Sequence, residues 1–313
     1  MPPELTDLAS ELSLTPHAAL GIPIALVGAV FLSIGTQFQH AGVAHVDRNS
    51  ADDATSGLSM KQIVALLGRP SWVIGTLLLG LAIVLQLTSI GLAPLIVVQP
   101  LGAIALVITA IVNARVSKVK LDRASIRAIA TCVGGIALFV GVAAFFAESH
   151  PITETQLAVV LTILAVVLAT FGTLFAIFRD RFKPIFYIIG AGVLFGFVAT
   201  IAKVVIGRIQ TLIEMEFHTG SIEWLTIGLV VGLAGAAALG SYFVQTAYSN
   251  GPPDLVIAGL TVIDPIVAIT IGIVVLGEAS GAPLWAMFAF LVAGAIAIWG
   301  VFQLSKHHPQ TQS

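Results

Sequence analysis

Charged residues are scarce in this 313-residue chain, where Asp, Glu, Lys and Arg make up 10% of the sequence and leave a formal net charge of -2. This composition provides no basic patch for a nucleic acid, so we expect no nucleic-acid partner. Cysteine is nearly absent, since the single residue, Cys132, lies inside an apolar segment. One cysteine cannot form an intrachain disulfide or a cysteine metal site, and we interpret Cys132 as a small core residue.

Enzyme signatures are also missing from the sequence, which contains no HExxH, no GxSxG and no phosphate-binding P-loop. No second acid lies within an apolar run to form a catalytic pair with Asp264. We therefore expect no enzyme and no resident cofactor. An intramembrane enzyme remains a remote alternative, and its only pairing for Asp264 would be Lys203.

Long apolar runs fill most of the sequence. Hydrophobic residues make up 58% of it and its mean hydropathy is +1.03, which is typical of an integral membrane protein. A helix needs about 20 apolar residues to cross a bilayer. The first 17 residues hold no Lys or Arg, unlike a cleavable signal, so the first run is expected to remain as a span. An all-α polytopic fold is predicted, with nine spans at 18–44, 70–92, 94–114, 125–146, 155–178, 184–206, 223–247, 252–276 and 283–305.

The cations segregate across these nine spans. Of the 14 Lys and Arg residues, all except Lys203 and Arg208 fall on one side. By the positive-inside rule that side is the cytoplasm, so the N-terminus is expected outside and the C-terminus inside a plasma membrane of the bacterial type. The loop at 45–69 lies on the cytoplasmic side, and its second half, "LSMKQIVALLGR", predicts a short amphipathic helix.

An internal repeat is visible at an offset of 159 residues, which pairs Gln86 with Gln245 and Pro94 with Pro253. Five spans separate each pair, so the two copies run through the bilayer in opposite directions. Such inverted repeats are typical of secondary transporters. The predicted organisation is an extracellular segment at 1–17, a four-helix repeat at 18–146, a connector with the fifth helix at 147–183, a second four-helix repeat at 184–305 and a cytoplasmic tail at 306–313.

The stretch "LTVIDPIVAIT" places Asp264 near the middle of the eighth span. An ionisable residue at this depth is costly, by about 2.5 to 3.5 kcal/mol on insertion scales, and marks a functional candidate. Pro265 removes a helix hydrogen bond beside it, and we predict a helix break there. Lys203, toward the outer end of the sixth span, is interpreted either as a counter-ion for Asp264 or the substrate, or as a side chain that snorkels to the interface.

Amides supply the other polar groups within the spans. Gln99 precedes Pro100 as Asp264 precedes Pro265, so Pro100 is a second predicted helix break. Any one amide has the alternative role of bonding helix to helix. Glycines at 21, 28, 35 and 42 form a stripe on the first span that favours close helix packing. The predicted solute or ion pathway comprises Asp264, Lys203, Gln37, Gln39, His40, Gln86, Gln99 and Gln245.

Four segments resemble a known family. "PPDLVIAGLTVIDPIVAITIGIVVLGE" (252–278) is similar to the penultimate helix of drug/metabolite transporter (DMT) superfamily proteins. "LAPLIVVQPLGAIALVITAIV" (92–112), "SIGTQF" (33–38) and "GFVATIAK" (196–203) are similar to its NIPA-like magnesium transporter branch. The resemblance implies an EamA-like inverted-repeat transporter with a central cavity. It also implies Mg²⁺ as a possible cargo, for which Asp264 is the candidate ligand because of its depth in the membrane.

The residues themselves leave the cargo open. Mg²⁺ prefers octahedral oxygen with one or two carboxylates, and only Asp264 is deep in the membrane. Glutamines, a histidine and a lysine in apolar walls suit an organic metabolite, a drug or a lipid-linked group equally well. The expected partners are the lipid bilayer and a small solute or Mg²⁺, with proton or cation coupling and a homodimer both left open.

Overall fold

The computed structural model describes residues 16–49, 66–116, 121–178, 183–214 and 224–306. Within these ranges the ordered elements are helices, and nine helical segments are long and apolar enough to cross a membrane. This confirms the predicted all-α, nine-span architecture for the described part of the chain. The helices are α1 (Pro16–Asn49), α2 (Pro70–Leu92), α3 (Leu95–Leu101), α4 (Ala103–Val116), α5 (Arg123–Phe146), α6 (Glu154–Phe178), α7 (Pro184–Glu214), α8 (Trp224–Asn250), α9 (Pro253–Val274) and α10 (Leu284–Lys306).

The helix boundaries follow local sequence signals. α2, α7 and α9 each begin at a proline, because a first-turn residue needs no N–H for the helix ladder. α1 continues to Asn49 and α7 to Glu214, beyond the predicted span ends, so the start of the predicted 45–69 loop is helical. Most of the predicted amphipathic helix and the predicted tail beyond Lys306 lie outside the described residues.

The two predicted helix breaks differ. The third candidate span is divided into α3 and α4 at Gly102, just after Pro100. The Gly102 N–H donates to the Gln99 carbonyl at 3.1 Å, only three residues back, which tightens the chain at this point. Pro265, in contrast, lies inside the continuous helix α9. The predicted break there is wrong, because the loss of one backbone donor leaves the flanking helical bonds in place.

Glycine faces bring the helices of each half together. The stripe on α1 packs against α2, as predicted. A Cβ atom at Gly35 would lie 3.0 Å from the Gly75 carbonyl oxygen, and one at Gly42 would lie 2.7 Å from the Trp72 Cβ. On α7, a Cβ atom at Gly196 would lie 2.9 Å from the carbonyl oxygen of Asp264. The close approach of α7 therefore fixes the backbone of α9 where the acid is attached.

α5 and α10 cross in direct backbone contact. A Cβ atom added at Gly135 would clash with the backbone of Ala297, and one at Gly300 would clash with the backbone of Cys132. Cys132 is fully buried, which agrees with its interpretation as a small core residue. This crossing joins the last helix of the first half to the last helix of the second.

Candidate functional site

A cavity of about 360 Å³ lies between α1, α2, α3, the start of α4 and the middle of α9. Its wall is mostly apolar, with Gln86, Gln99, Thr261 and Asp264 as its polar side chains. Asp264 is near the midpoint of the candidate span Leu255–Val274, so the cavity lies close to the middle of the membrane. The structure thus brings together three of the predicted pathway residues.

Two polar atoms of this cavity have no partner among the described residues. They are Oδ1 of Asp264 and Nε2 of Gln99, both enclosed by protein, and the Gln99 side chain as a whole is only 6% exposed. A carboxylate oxygen accepts hydrogen bonds, whereas an amide nitrogen donates them. A buried group left unpaired costs about 1–3 kcal/mol. Asp264 and Gln99 both line the cavity, so a solute bound there would lie beside one unpaired acceptor and one unpaired donor, which rotation of the two side chains would turn toward it.

The segment before Asp264 adds a backbone acceptor. The Thr261 hydroxyl donates to the Ile257 carbonyl at 2.7 Å, so its proton is not available to a solute. Pro265 has no N–H, and the Thr261 carbonyl four residues earlier consequently lacks its usual helix donor. Thr261 and Pro265 both line the cavity, and the role of this carbonyl as an acceptor for a solute stays a prediction.

Lys203 forms a buried ion pair with Glu278, a partner that the sequence does not predict. Its ammonium group lies 3.2 Å from the Glu278 carboxylate and donates to the Ala93 carbonyl at 2.9 Å and to the Ser149 hydroxyl at 3.2 Å. Lys203 is 8% exposed. The structure supports neither the predicted pairing with Asp264 nor snorkelling, because the ion pair of Lys203 is with Glu278 and its side chain is buried. Its predicted role as a counter-ion for the substrate stays a prediction.

Glu278 also holds the start of α3. Its carboxylate accepts from the backbone N–H groups of Leu95, at 2.8 Å, and Ile96, at 3.0 Å. These first-turn donors have no partner within their own helix. Gly277, with φ of +72°, turns the chain so that the Glu278 N–H returns to the Gly272 carbonyl at 2.9 Å. Glu278 is 1% exposed, and it ties α3 of the first half to α7 and α9 of the second.

A second cavity, of about 350 Å³, lies on the other side of this contact and is lined by Ser149, His150, Lys203 and Arg208 among others. It is at the end of the bundle predicted to face outside. Between the two cavities, Ala93 and the first residues of α3 are completely buried. The Lys203–Glu278 pair and the start of α3 therefore lie between the mid-membrane cavity and this second cavity, which we call the vestibule.

Three other predicted pathway residues, Gln37, Gln39 and Gln245, do not belong to the wall of the mid-membrane cavity. Gln39 donates to the Thr76 hydroxyl at 3.0 Å, so it bonds α1 to α2. Gln37 is half-buried, and Gln245 is exposed on α8. The side chain of His40 lies outside the described residues. Gln39 and Gln245 lie at or near the ends of their candidate spans, and hydropathy does not define which face of a helix points inward.

No group of three or more His, Cys, Asp or Glu side chains that could hold a metal ion occurs in the part of the chain that the structure describes. A divalent cation at Asp264 would therefore meet one carboxylate, complemented by amide and backbone oxygens and by water. Mg²⁺ commonly keeps several of its waters in protein sites. Asp264 remains a predicted cation ligand.

Comparison with known proteins adds one relative. The chain is 26% identical over 293 residues to an uncharacterized protein of Corynebacterium glutamicum, in an alignment that covers 92% of this chain and 95% of the relative. The chain matches no model of a known protein family. No solved structure matches it.

Proposed function

We propose that this protein is a secondary transporter of the drug/metabolite transporter type, which moves a small solute by alternating access through the cavity at Asp264. The observation that carries the proposal is the pair of unpartnered buried atoms in a mid-membrane cavity, Asp264 Oδ1 and Gln99 Nε2. A packing role alone leaves their cost unexplained. Intramembrane ionisable groups that face a cavity are typical of solute and ion pathways.

The packing of the helices supports the inverted-repeat part of this proposal. α1 packs along α2 in the first half, and α7 packs along α8 in the second. Under the repeat, these two pairs are equivalent. α5 and α10, which would be equivalent to each other, cross with a glycine from each helix at the contact. In transporters built from such repeats the substrate site lies near the midplane between the halves.

Two cargo classes follow from different observations. The resemblance to NIPA-like proteins implies Mg²⁺, for which Asp264 supplies a carboxylate oxygen. The cavity equally suits an uncharged or cationic organic solute, because the Gln99 amide can offer its N–H donors as well as its oxygen. Proton or cation coupling through Asp264 is part of the proposal, since it is the single acidic side chain in the cavity wall that the structure describes.

The proposal is tested with Asp264→Asn, which keeps the shape of the side chain and removes its charge. Reconstituted into proteoliposomes, the wild type should take up solute and Asp264→Asn should lose most of this uptake. Mg²⁺ is assayed first with an internal indicator dye. Gln245→Leu is the matched control, since it removes an amide from the exposed face of α8 and should leave uptake unchanged.

A second readout does not depend on knowing the cargo. A cysteine at Leu260, in the cavity wall, should react with membrane-impermeant thiol reagents added to either side of the membrane, because alternating access opens the cavity to each in turn. Normal uptake by Asp264→Asn would show that the charge of Asp264 has no role in transport. Protection of the cysteine from both sides would overturn the transporter proposal itself.

A further inference from the structure

A third cavity, of about 390 Å³, lies beside the first, where α9 meets α5 and α10. The polar side chains in its wall are Thr261 and Thr270. Both donate their hydroxyl protons to backbone carbonyls of α9, at 2.7 Å each. Leu291, in the same wall, is 73% exposed, so this apolar groove opens to the surroundings of the bundle, which are the lipid tails of a bilayer.

The groove and the polar cavity meet edge to edge. Ala103, Thr261 and Pro265 line both of them. On α9, Asp264 faces the polar cavity and its neighbour Pro265 lies at the boundary, while Ile266 faces the groove. The apolar groove therefore adjoins the cavity that holds Asp264 and Gln99, and one turn of α9 forms the boundary between them.

We propose that the groove holds the hydrocarbon chain of a single-chain amphiphile whose hydroxylated head lies in the polar cavity, so that this amphiphile is the cargo. This inference rests on the proposed transport function and names the class of its substrate. A hydroxyl group accepts a hydrogen bond from the Gln99 amide and donates one to Asp264. One kind of head thus offers a partner to each of the two side chains, once they turn toward the cavity.

The charged side chains of the cavity wall determine which head groups of an amphiphile can bind there. No Lys, Arg or His side chain belongs to its wall in the described part of the chain. A phosphate head would bring its negative charge to the middle of the membrane beside Asp264 and without a counter-ion, which is strongly unfavourable. Sugar, polyol and other uncharged hydroxylated heads carry no such penalty, and a cationic hydroxylated head would be attracted by the acid.

The affinity must come mainly from the head. A hydrocarbon chain that leaves lipid tails for the groove gains no hydrophobic free energy, because the two environments are equally apolar. The groove therefore positions the amphiphile, and the bonds to Asp264 and Gln99 distinguish it from the surrounding lipid. The bonds to the head group are therefore the feature that distinguishes a specific site from a groove that ordinary lipid fills.

The test uses the full chain in lipid nanodiscs and radiolabelled decyl β-glucoside as the probe, with empty nanodiscs to subtract partitioning. We expect saturable binding that Gly294→Leu, which fills the groove, weakens by about tenfold. Gly294 is half-buried in the groove wall. The control is Gly134→Leu on the exposed face of α5, where an added Cβ meets no atom within 4 Å, and it should bind normally. Decyl phosphate should bind about tenfold more weakly than the glucoside.

Several outcomes overturn the inference. Binding that does not saturate shows that ordinary lipid fills the groove. Equal affinity of Gly294→Leu and the wild type excludes the groove as the chain site. A dimer in the wild type that Gly294→Leu dissociates makes the groove a contact between two copies of the chain.

Uptake assays separate this inference from the transporter proposal. If Gly294→Leu still carries a water-soluble cargo at the normal rate, the assignment of an amphiphile as the cargo is overturned. The proposal that the protein is a transporter is then unaffected. Saturable glucoside binding by a protein whose cavity cysteine is protected from both sides establishes the site and overturns transport.

Discussion

The carboxylate of Glu278 is expected to contribute more to stability than any exposed charge of the protein. Glu278→Gln keeps the size of the side chain but removes its charge. The substitution leaves Lys203, 8% exposed, without its counter-ion at 3.2 Å. It also weakens the acceptors for the N–H groups of Leu95 and Ile96. Removal of one partner from a buried ion pair costs about 3–5 kcal/mol, because the other charge stays buried.

A double-mutant cycle isolates the pair from these backbone bonds. Lys203→Met should cost less than Glu278→Gln, since Glu278 keeps its two backbone donors at 2.8 and 3.0 Å. In the double variant neither charge remains buried alone. The free energy of unfolding should therefore fall by less than the sum of the single losses, with a coupling of about 1–3 kcal/mol. The assay is reversible unfolding in mixed micelles with increasing denaturing detergent, followed by circular dichroism.

Glu148→Gln is the matched control at the same end of the bundle. The Glu148 carboxylate lies 3.3 Å from His150, but its side chain is 72% exposed, and pairs of this kind contribute about 0–1 kcal/mol. If Glu278→Gln is no more destabilising than Glu148→Gln, or if the losses in the cycle are additive, the buried pair does not stabilise α3 in the way described.

Two other predictions concern the crossing of α5 with α10 and the orientation. Gly300→Ala should destabilise the folded protein by about 3 kcal/mol or more, because its Cβ would overlap the backbone of Cys132. Gly141→Ala, in open space, should leave the folded yield in detergent unchanged, and equal yields would contradict the crossing. An impermeant maleimide added to intact cells should label Glu148→Cys and spare Arg123→Cys, and the reverse pattern would invert the predicted topology. Background from Cys132 is low because it is fully buried.

The fold was predictable from the sequence to the extent that local signals determine it. The nine spans follow from apolar length, and prolines at 70, 184 and 253 mark three helix starts. The extra turns of α1 and α7 were not predictable from hydropathy. Hydropathy shows which apolar residues can lie within the bilayer, but it does not show where a helix ends outside it. The division between α3 and α4 was anticipated at Pro100. The same reasoning failed at Pro265, because the effect of an internal proline depends on the packing around it.

The site was predictable only in part. Asp264 was identifiable because a single charge in a long apolar run stands out without any knowledge of contacts. Gln86 and Gln245 occupy equivalent positions of the proposed repeat, but Gln86 lines the cavity and Gln245 is exposed. Sequence gives the depth of an amide in the membrane and not the helix face on which it lies.

Glu278 was missed for a different reason. It follows the apolar run of α9 and looks like an ordinary interfacial acid. Its burial arises from the turn at Gly277 and from a contact with Leu95 that is 183 residues distant in the chain. The nearest signal was the terminal Gly-Glu of the family resemblance, which did not show where the carboxylate points.

The position of the Lys203–Glu278 pair constrains how the proposed transporter opens. The pair and the buried start of α3 lie between the cavity at Asp264 and the vestibule. For a solute to pass from one cavity to the other at this point, α3 must move away from Glu278 and Lys203. This movement removes the Glu278 acceptors from Leu95 and Ile96. Lys203 already lines the vestibule, where water can solvate its charge once the contact between Glu278 and α3 opens. Hydration of Lys203 would therefore offset part of the free energy lost when this contact opens. In the proposed transporter, this lowers the differential affinity that a bound solute must supply to shift the population toward the open state.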